Sequence, residues 1–218
     1  MENGYEIIDN FIDQKTFESM SEEINRFSLS INKGGIRNPE KLFNSVNTFA
    51  KSKFIYDYAG QFLLDRPKLV RAIVFIKTKE NNWSVPWHQD KTVAVSHKFL
   101  RENWCAWSIK DNIHHVQPPS AVMEDLISIR IHLNSTDRDN GCLKVIPRSH
   151  KTGVLNQKTI QEITNSQSTT YCEASEMSAL VMRPLLLHSS EKAVIPTQRR
   201  VLHLEYSSYQ LPPEIVWG

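Results

Sequence analysis

Two side chains one residue apart, His88 and Asp90 in Val85-Pro86-Trp87-His88-Gln89-Asp90, offer a nitrogen and an oxygen ligand to a cation. In an extended segment side chains alternate faces, so His88 and Asp90 point one way and Gln89 the other. Iron(II) held by two histidines and one carboxylate on one face of its octahedron keeps its other positions open, which suits oxygen chemistry. The pair is short, and by itself it reads more readily as a surface or core histidine beside a turn aspartate. It asks for a second histidine.

His188 answers. It ends the apolar run Leu185-Leu186-Leu187, and a buried strand that delivers a polar residue at its end is a usual way to build a metal site. A satisfied core histidine is the ordinary alternative. Arg199-Arg200, at the start of the next expected strand, shifts the balance. An arginine in a largely buried strand needs an anionic partner, and its planar fork captures a small carboxylate bidentately. The order His-x-Asp, His, Arg is more specific than any of its members.

In that order the chain resembles the phytanoyl-CoA dioxygenase family of iron(II)/2-oxoglutarate oxygenases. The resemblance is carried by VPWHQD (85–90), DNGCLKVIPRSHKTG (139–153), RPLLLHSS (183–190) and RRVLHLEY (199–206), with LISIRIHLN (126–134) fitting ahead of Asp139-Asn140-Gly141. It spans most of the chain from about Leu69 onward; the N-terminal helices match only in kind. The resemblance implies a double-stranded β-helix, a jelly-roll, cupin-like barrel with the metal at its open end. It implies His88, Asp90 and His188 as iron(II) ligands, and 2-oxoglutarate chelating the iron through its keto acid end with its far carboxylate on an arginine. Family spacing favours Arg199 for that role. Strand alternation agrees: Arg199 shares a face with His203 and Glu205, while Arg200 shares one with Leu202, Leu204 and Tyr206.

Further positions follow from the same alignment. Arg130 falls beside the cosubstrate, where some members have an aromatic residue, and can instead meet an anionic substrate. Ser190 can donate to the 2-oxoglutarate carboxylate. Ile73 is an apolar wall, and Lys77 ends its strand on the same face. Alternation puts His132 and His203 at the pocket, and Trp107 belongs to a loop that would shape specificity. No catalytic residue is expected beyond the metal ligands. The implied reaction consumes oxygen and 2-oxoglutarate, releases succinate and carbon dioxide, and hydroxylates a C–H bond of a small-molecule substrate. Halogenating relatives have a small residue at the position of Asp90, so a carboxylate there argues for hydroxylation. His88 and His188 must be neutral to serve as ligands, so activity should fall in acid.

The elements that must position these residues come in a telling order. Asp13 caps an expected helix from Gln14 to Phe27, with Phe17, Met20, Ile24 and Phe27 on one face. Asn38-Pro39 opens intermittent helix up to Leu64. Strands are expected at Tyr5–Ile12, Leu69–Thr78, Thr92–Val95, Leu126–Asn134, Cys142–Ile146, Ala179–Leu187 and Val201–Tyr206, with a loop at Pro196-Thr197-Gln198 and a short helix within Leu155–Ser168. Residues 96–125 read as irregular and lid-like. Helices first and many short strands after argue for an α+β chain with the N-terminal helices packed on the major sheet. We expect one oxygenase domain over 1–218, mainly helical to residue 66 and barrel from residue 67.

Composition bounds the partners. The chain has 218 residues, 40% hydrophobic, with a formal net charge of +2, enough for one core and without the charge bias of a nucleic-acid binder. No apolar run approaches the roughly 20 residues that span a bilayer, and the N-terminus is not a signal peptide. Cys105, Cys142 and Cys172, odd in number and far apart, read as reduced thiols of a cytoplasmic protein. The sequence sets no oligomeric state. A zinc or iron isomerase or hydrolase on the same barrel also uses His, His and Asp, but has no need of Arg199. A non-catalytic metal-binding barrel is disfavoured by the intact triad, and no G-x-S-x-G elbow or glycine-rich nucleotide signature is present.

Overall fold

Strand alternation sorts this chain into an apolar layer and a polar lumen. The computed structural model describes residues 1–28, 34–195 and 198–218. Pro196 and Thr197, in the expected loop, lie outside these residues. In chain order the elements begin with β1 (Tyr5–Ile8), α1 (Gln14–Ser28), β2 (Gly35–Arg37), α2 (Pro39–Leu42), α3 (Asn44–Ala50) and α4 (Lys53–Gly60). There follow β3 (Lys68–Lys77), β4 (Val85–His88), β5 (Val93–Val95), β6 (Cys105–Lys110), β7 (Ile113–Gln117) and α5 (Ser120–Glu124). The chain ends with β8 (Leu126–His132), β9 (Leu143–Val145), α6 (Gln157–Ser166), β10 (Thr170–Cys172), β11 (Ala179–Met182), β12 (His188–Ser190) and β13 (Arg199–Ser207).

Two sheets face each other as a jelly roll. The major sheet runs β1-β11-β8-β13-β3-β2 and the minor sheet β10-β9-β12-β4, antiparallel throughout. On the outer face of the major sheet Ile127, Ile129, Ile131, Leu202, Leu204 and Tyr206 are fully buried, packed with Met20 and Ile24 of α1 and Ile55 of α4. Each such side chain contributes about 1.5–3 kcal/mol by leaving water. Asp13 caps α1 as its spacing demands, accepting from the Thr16 amide at 2.8 Å. The inner face carries the other half of the alternation. Arg199 stands opposite Lys77, His203 opposite Ile73 and Arg130, and Glu205 opposite Arg71 and Ser128.

Two expectations need correction. Residues 96–125 are not irregular: β6 and β7 form a hairpin that joins β5 in a third sheet. Its two-residue turn, Asp111-Asn112, has φ of 49° and 64°, the left-handed pair that a tight hairpin turn requires and that these two residue types tolerate. The strand expected over Ala179–Leu187 stops at Met182, because Pro184 has no amide to donate. A turn closed by the Leu186 amide on the Arg183 carbonyl (3.0 Å) then carries the chain from one sheet to the other, so His188 begins a strand. Among the described residues no helix is long and apolar enough to cross a membrane.

Candidate metal centre and active site

The minor sheet brings the two histidines together. β4 and β12 pair with His188 opposite His88, and the imidazole centroids are 4.1 Å apart. Asp90 follows β4, its amide donating to Pro184 in the turn ahead of His188 at 2.9 Å. Each histidine is fixed from behind: Nδ1 of His88 donates to the Pro86 carbonyl (2.9 Å) and Nδ1 of His188 to that of Leu186 (2.8 Å). A carbonyl only accepts, so in the neutral ring the proton sits on Nδ1 and the Nε2 lone pair is left for a metal. These Nε2 atoms lie 3.8 and 3.6 Å from the Asp90 oxygens, and the ligand atoms of the three residues fall within 4.8 Å of one another. Gln89 points away as expected; its amide donates to Gly153 and Leu185 and accepts from the Leu155 amide, locking the strand from its other side.

Protonation suits a cation. Burial pushes His188 down to about 4, so it is neutral at physiological pH. Burial alone would raise the Asp90 carboxyl; His188, Arg71, His88 and His203 outweigh it and hold Asp90 below its ordinary range. Two imidazoles and a carboxylate, lining the same cavity, fit a hard-to-borderline divalent metal.

Beyond this centre a cavity of about 250 Å³ runs between the sheets. At one end Lys77, 1% exposed, donates to Ser190 Oγ (2.8 Å) and the Glu191 carbonyl (2.7 Å). Ser190 and Arg199 both donate to the Gly141 carbonyl. Arg199 Nε is buried without a partner. Burial, then the charge of Arg130, lowers Arg199 to about 10, and burial, then Arg199, lowers Lys77 to about 8. Buried cations pressed together are relieved by an anion between them. Arg200 faces the other way, its backbone amide and Nε both donating to Asn134 Oδ1.

A polar chain lines the other part of the lumen. Arg71 pairs with Glu205; Glu205 accepts from His203 Nε2 at 2.9 Å; His203 Nδ1 accepts from Arg130 Nη1 at 3.1 Å. Asp90, His203 and Glu205 form a second group of ligand-type atoms, but Glu205 is already neutralised by Arg71. Arg130 lies over the Phe75 ring at 5.3 Å, and its Nε has no partner.

The cavity thus gathers His88, Asp90, His188, Arg199, Ser190, Arg130, Ile73 and His203. It does not gather Trp107 or His132. Trp107 packs edge-on against Phe99 at 5.2 Å in an apolar cluster with Trp104. His132, buried, meets Thr136 Oγ1 at 3.2 Å. Arg37, Arg71, Phe75 and Trp83 also line the cavity and were not expected there. Alternation from Ile73 along β3 points to Arg71 and Phe75; β2 has three residues, too few to signal Arg37. A larger groove of about 1030 Å³, between α1 and α3, lies away from the metal centre.

The fold has solved counterparts. AviO1 from Streptomyces viridochromogenes Tue57 superposes with a TM-score of 0.72 at 15% identity, covering 97% of this chain and 93% of that one. EctD from S. alaskensis, solved with 2-oxoglutarate and 5-hydroxyectoine, gives 0.73 at 15% identity, covering 94% and 72%. The non-heme alpha ketoglutarate dependent epimerase SnoN from nogalamycin biosynthesis gives 0.69 at 12% identity, covering 99% and 80%. A search of curated proteins finds no match to the sequence. Residues 1–201 match the family model described as Phytanoyl-CoA dioxygenase (PhyH). The chain therefore belongs to the phytanoyl-CoA dioxygenase family, within the iron(II)- and 2-oxoglutarate-dependent oxygenases.

Proposed function

We propose that the protein hydroxylates a C–H bond of a small-molecule substrate, with iron(II), 2-oxoglutarate and oxygen. The observation that carries this is the pairing of His88 with His188 across β4 and β12, both Nε2 atoms free and Asp90 before them. When bound, iron(II) with 2-oxoglutarate and oxygen supplies the oxidant for hydroxylation, with succinate and carbon dioxide as co-products.

The chain's own residues do the positioning. His88, Asp90 and His188 hold the metal from one side, and their bonds to Pro86, Leu186 and Pro184 fix the ligand directions before it arrives. Arg199, with Lys77 and Ser190, holds the far carboxylate of 2-oxoglutarate, exchanging a costly contact between cations for an ion pair. Arg130 and Ile73 flank the cosubstrate. The Arg71–Glu205–His203–Arg130 chain fixes the His203 tautomer and the Arg130 fork beside the metal. The apolar walls Ile73, Phe75 and Leu143 keep water from the reacting centre. The 218 residues act as one oxygenase unit, with the β6–β7 hairpin tied to the cavity residue Arg37 through Asp111.

Asp90 favours hydroxylation over halogenation, because its carboxylate fills the place a halide would need. The test is oxygen-dependent formation of succinate from 2-oxoglutarate by the iron(II)-loaded protein. His88→Ala and Asp90→Ala should abolish it. Full turnover in either variant would overturn the ligand assignment, and metal-dependent turnover of a substrate without 2-oxoglutarate would favour an isomerase or hydrolase.

A further inference from the structure

The cavity holds more positive charge than the proposed ligands neutralise. Among the described residues five cationic side chains line it, Arg37, Arg71, Lys77, Arg130 and Arg199, against one carboxylate, Asp90. Iron(II), Asp90 and a 2-oxoglutarate dianion sum to a single negative charge, which Arg199 and Lys77 already exceed. A second group of cations lies away from the cosubstrate end, where Arg71 is paired with Glu205 and Arg37 with Asp111. Arg71 lies six residues before Lys77 on β3, about 20 Å along the strand, too far to share one carboxylate with it. Arg37, opposite Ile73 on β2, is the diagonal neighbour of Arg71, roughly 7–8 Å away at the backbone. Lys110, exposed at the end of β6, flanks the group from outside the cavity, next in sequence to Asp111, the ion-pair partner of Arg37; after burial, Arg71 and Arg37 are the charges that most lower its pKa.

Each of the three has capacity to spare. Arg71 pairs with Glu205, but its Nε is buried without a partner. Arg37 pairs with Asp111 at 2.6 Å, yet these side chains are 37% and 67% exposed. Such a pair contributes about 0–1 kcal/mol and exchanges readily. Lys110 has no ion pair among the described residues. Buried His115 nearby is lowered to about 4, by burial first and then by Arg71, Lys110 and Arg37, which places it in the same positive field.

We propose that the substrate is a small organic acid whose oxyanion, a carboxylate or a phosphate monoester, docks on Arg37, Arg71 and Lys110 in exchange for Asp111, its reacting carbon facing His88, Asp90 and His188. A planar guanidinium pair suits either oxyanion. A cavity of about 250 Å³, shared with the cosubstrate, sets a short carbon chain. The inference rests on the oxygenase reading for the position of the metal.

The experiment uses the protein loaded with nickel(II) and saturating 2-oxoglutarate, which occupies the Arg199 end. Butyrate, ethyl phosphate and butyramide are titrated in turn, and paramagnetic broadening of their proton resonances reports approach to the metal. At least one of the two anions should reach half-saturation at a concentration about tenfold or more below that of butyramide. The tighter anion identifies the oxyanion. Arg37→Gln should weaken that anion about tenfold and Lys110→Gln severalfold, with nickel and 2-oxoglutarate affinity as the folding control. Equal binding of butyramide, no broadening by either anion, or unchanged anion binding in both variants would overturn the proposal. Failure of nickel or 2-oxoglutarate to bind would instead overturn the oxygenase reading. Anion preference, read by calorimetry on the metal-free protein and its Arg37→Gln variant, then decides this proposal separately.

Discussion

Arg199→Gln tests the proposed cosubstrate anchor. Arg199 is 6% exposed and stands on the lumen face opposite Lys77, so a carboxylate bound there is cut off from water. Removing one partner of a buried charge pair costs about 3–5 kcal/mol when nothing replaces it. Here Lys77 remains as a cation and Ser190 as a donor, 2.8 Å apart, which puts the loss at the low end. About 3 kcal/mol corresponds to a rise of roughly a hundredfold in the Kd of 2-oxoglutarate. Arg199→Lys keeps the charge but not the fork and should recover about tenfold of that loss. Arg200→Gln is the control. Its side chain points to the outer face and donates to Asn134, so affinity should change by less than about threefold. Calorimetric titration of 2-oxoglutarate into nickel-loaded protein reads the effect, with thermal unfolding of each variant alongside. A hundredfold loss in Arg200→Gln with normal binding in Arg199→Gln would reverse the assignment. Normal binding in both Arg199→Gln and Lys77→Gln would move the cosubstrate out of this end of the cavity.

Two further outcomes are expected. Gly141→Ala should lower both thermal stability and 2-oxoglutarate affinity, because Gly141 has φ +75° and a Cβ there would lie 2.6 Å from the Glu191 carbonyl and 3.1 Å from Lys77 Nζ; the left-handed backbone alone costs about 1–2 kcal/mol, and wild-type affinity would contradict the Lys77–Gly141–Arg199 arrangement. Acid should destabilise the metal-free protein. Burial, then Arg130 and Arg199, lowers His132 to about 3, and burial, then Arg71, Lys110 and Arg37, lowers His115 to about 4, both from 6.5. The unfolded chain therefore binds more protons, and the loss starts as pH falls through about 6.5 and reaches on the order of 3 kcal/mol per histidine by about pH 4. Denaturant midpoints measured across that range should fall, and less steeply in His132→Asn; a flat profile would contradict their being neutral in the fold.

Much of this was legible because strands write their two faces in alternate residues. RRVLHLEY sends Leu202, Leu204 and Tyr206 to the helices and Arg199, His203 and Glu205 to the lumen, as the register bears out. The proposed metal triad was legible as residue types, and pairing across β4 and β12 supplies the proximity that sequence order does not contain. What escaped depends on partners distant in the chain. Arg37 reaches the cavity only because three residues of β2 add to the edge of β3. The β6–β7 hairpin turns on Asp111-Asn112 rather than the Asn-Gly or Asp-Gly that signals such a turn most strongly. Trp107 looked like a specificity residue by type and loop position, but its bulk is spent on Phe99 and Trp104. Pro184 carried the signal for the break after β11, outweighed in the sequence by the long apolar run around it.

The most direct measurement is anaerobic titration of the purified protein with iron(II) and 2-oxoglutarate, followed by the visible metal-to-ligand charge-transfer band. The account predicts a band at one equivalent of each, absent in His188→Ala and shifted to much higher 2-oxoglutarate concentration in Arg199→Gln. Stoichiometric metal binding without the band, or a band that survives His188→Ala unchanged, would contradict it.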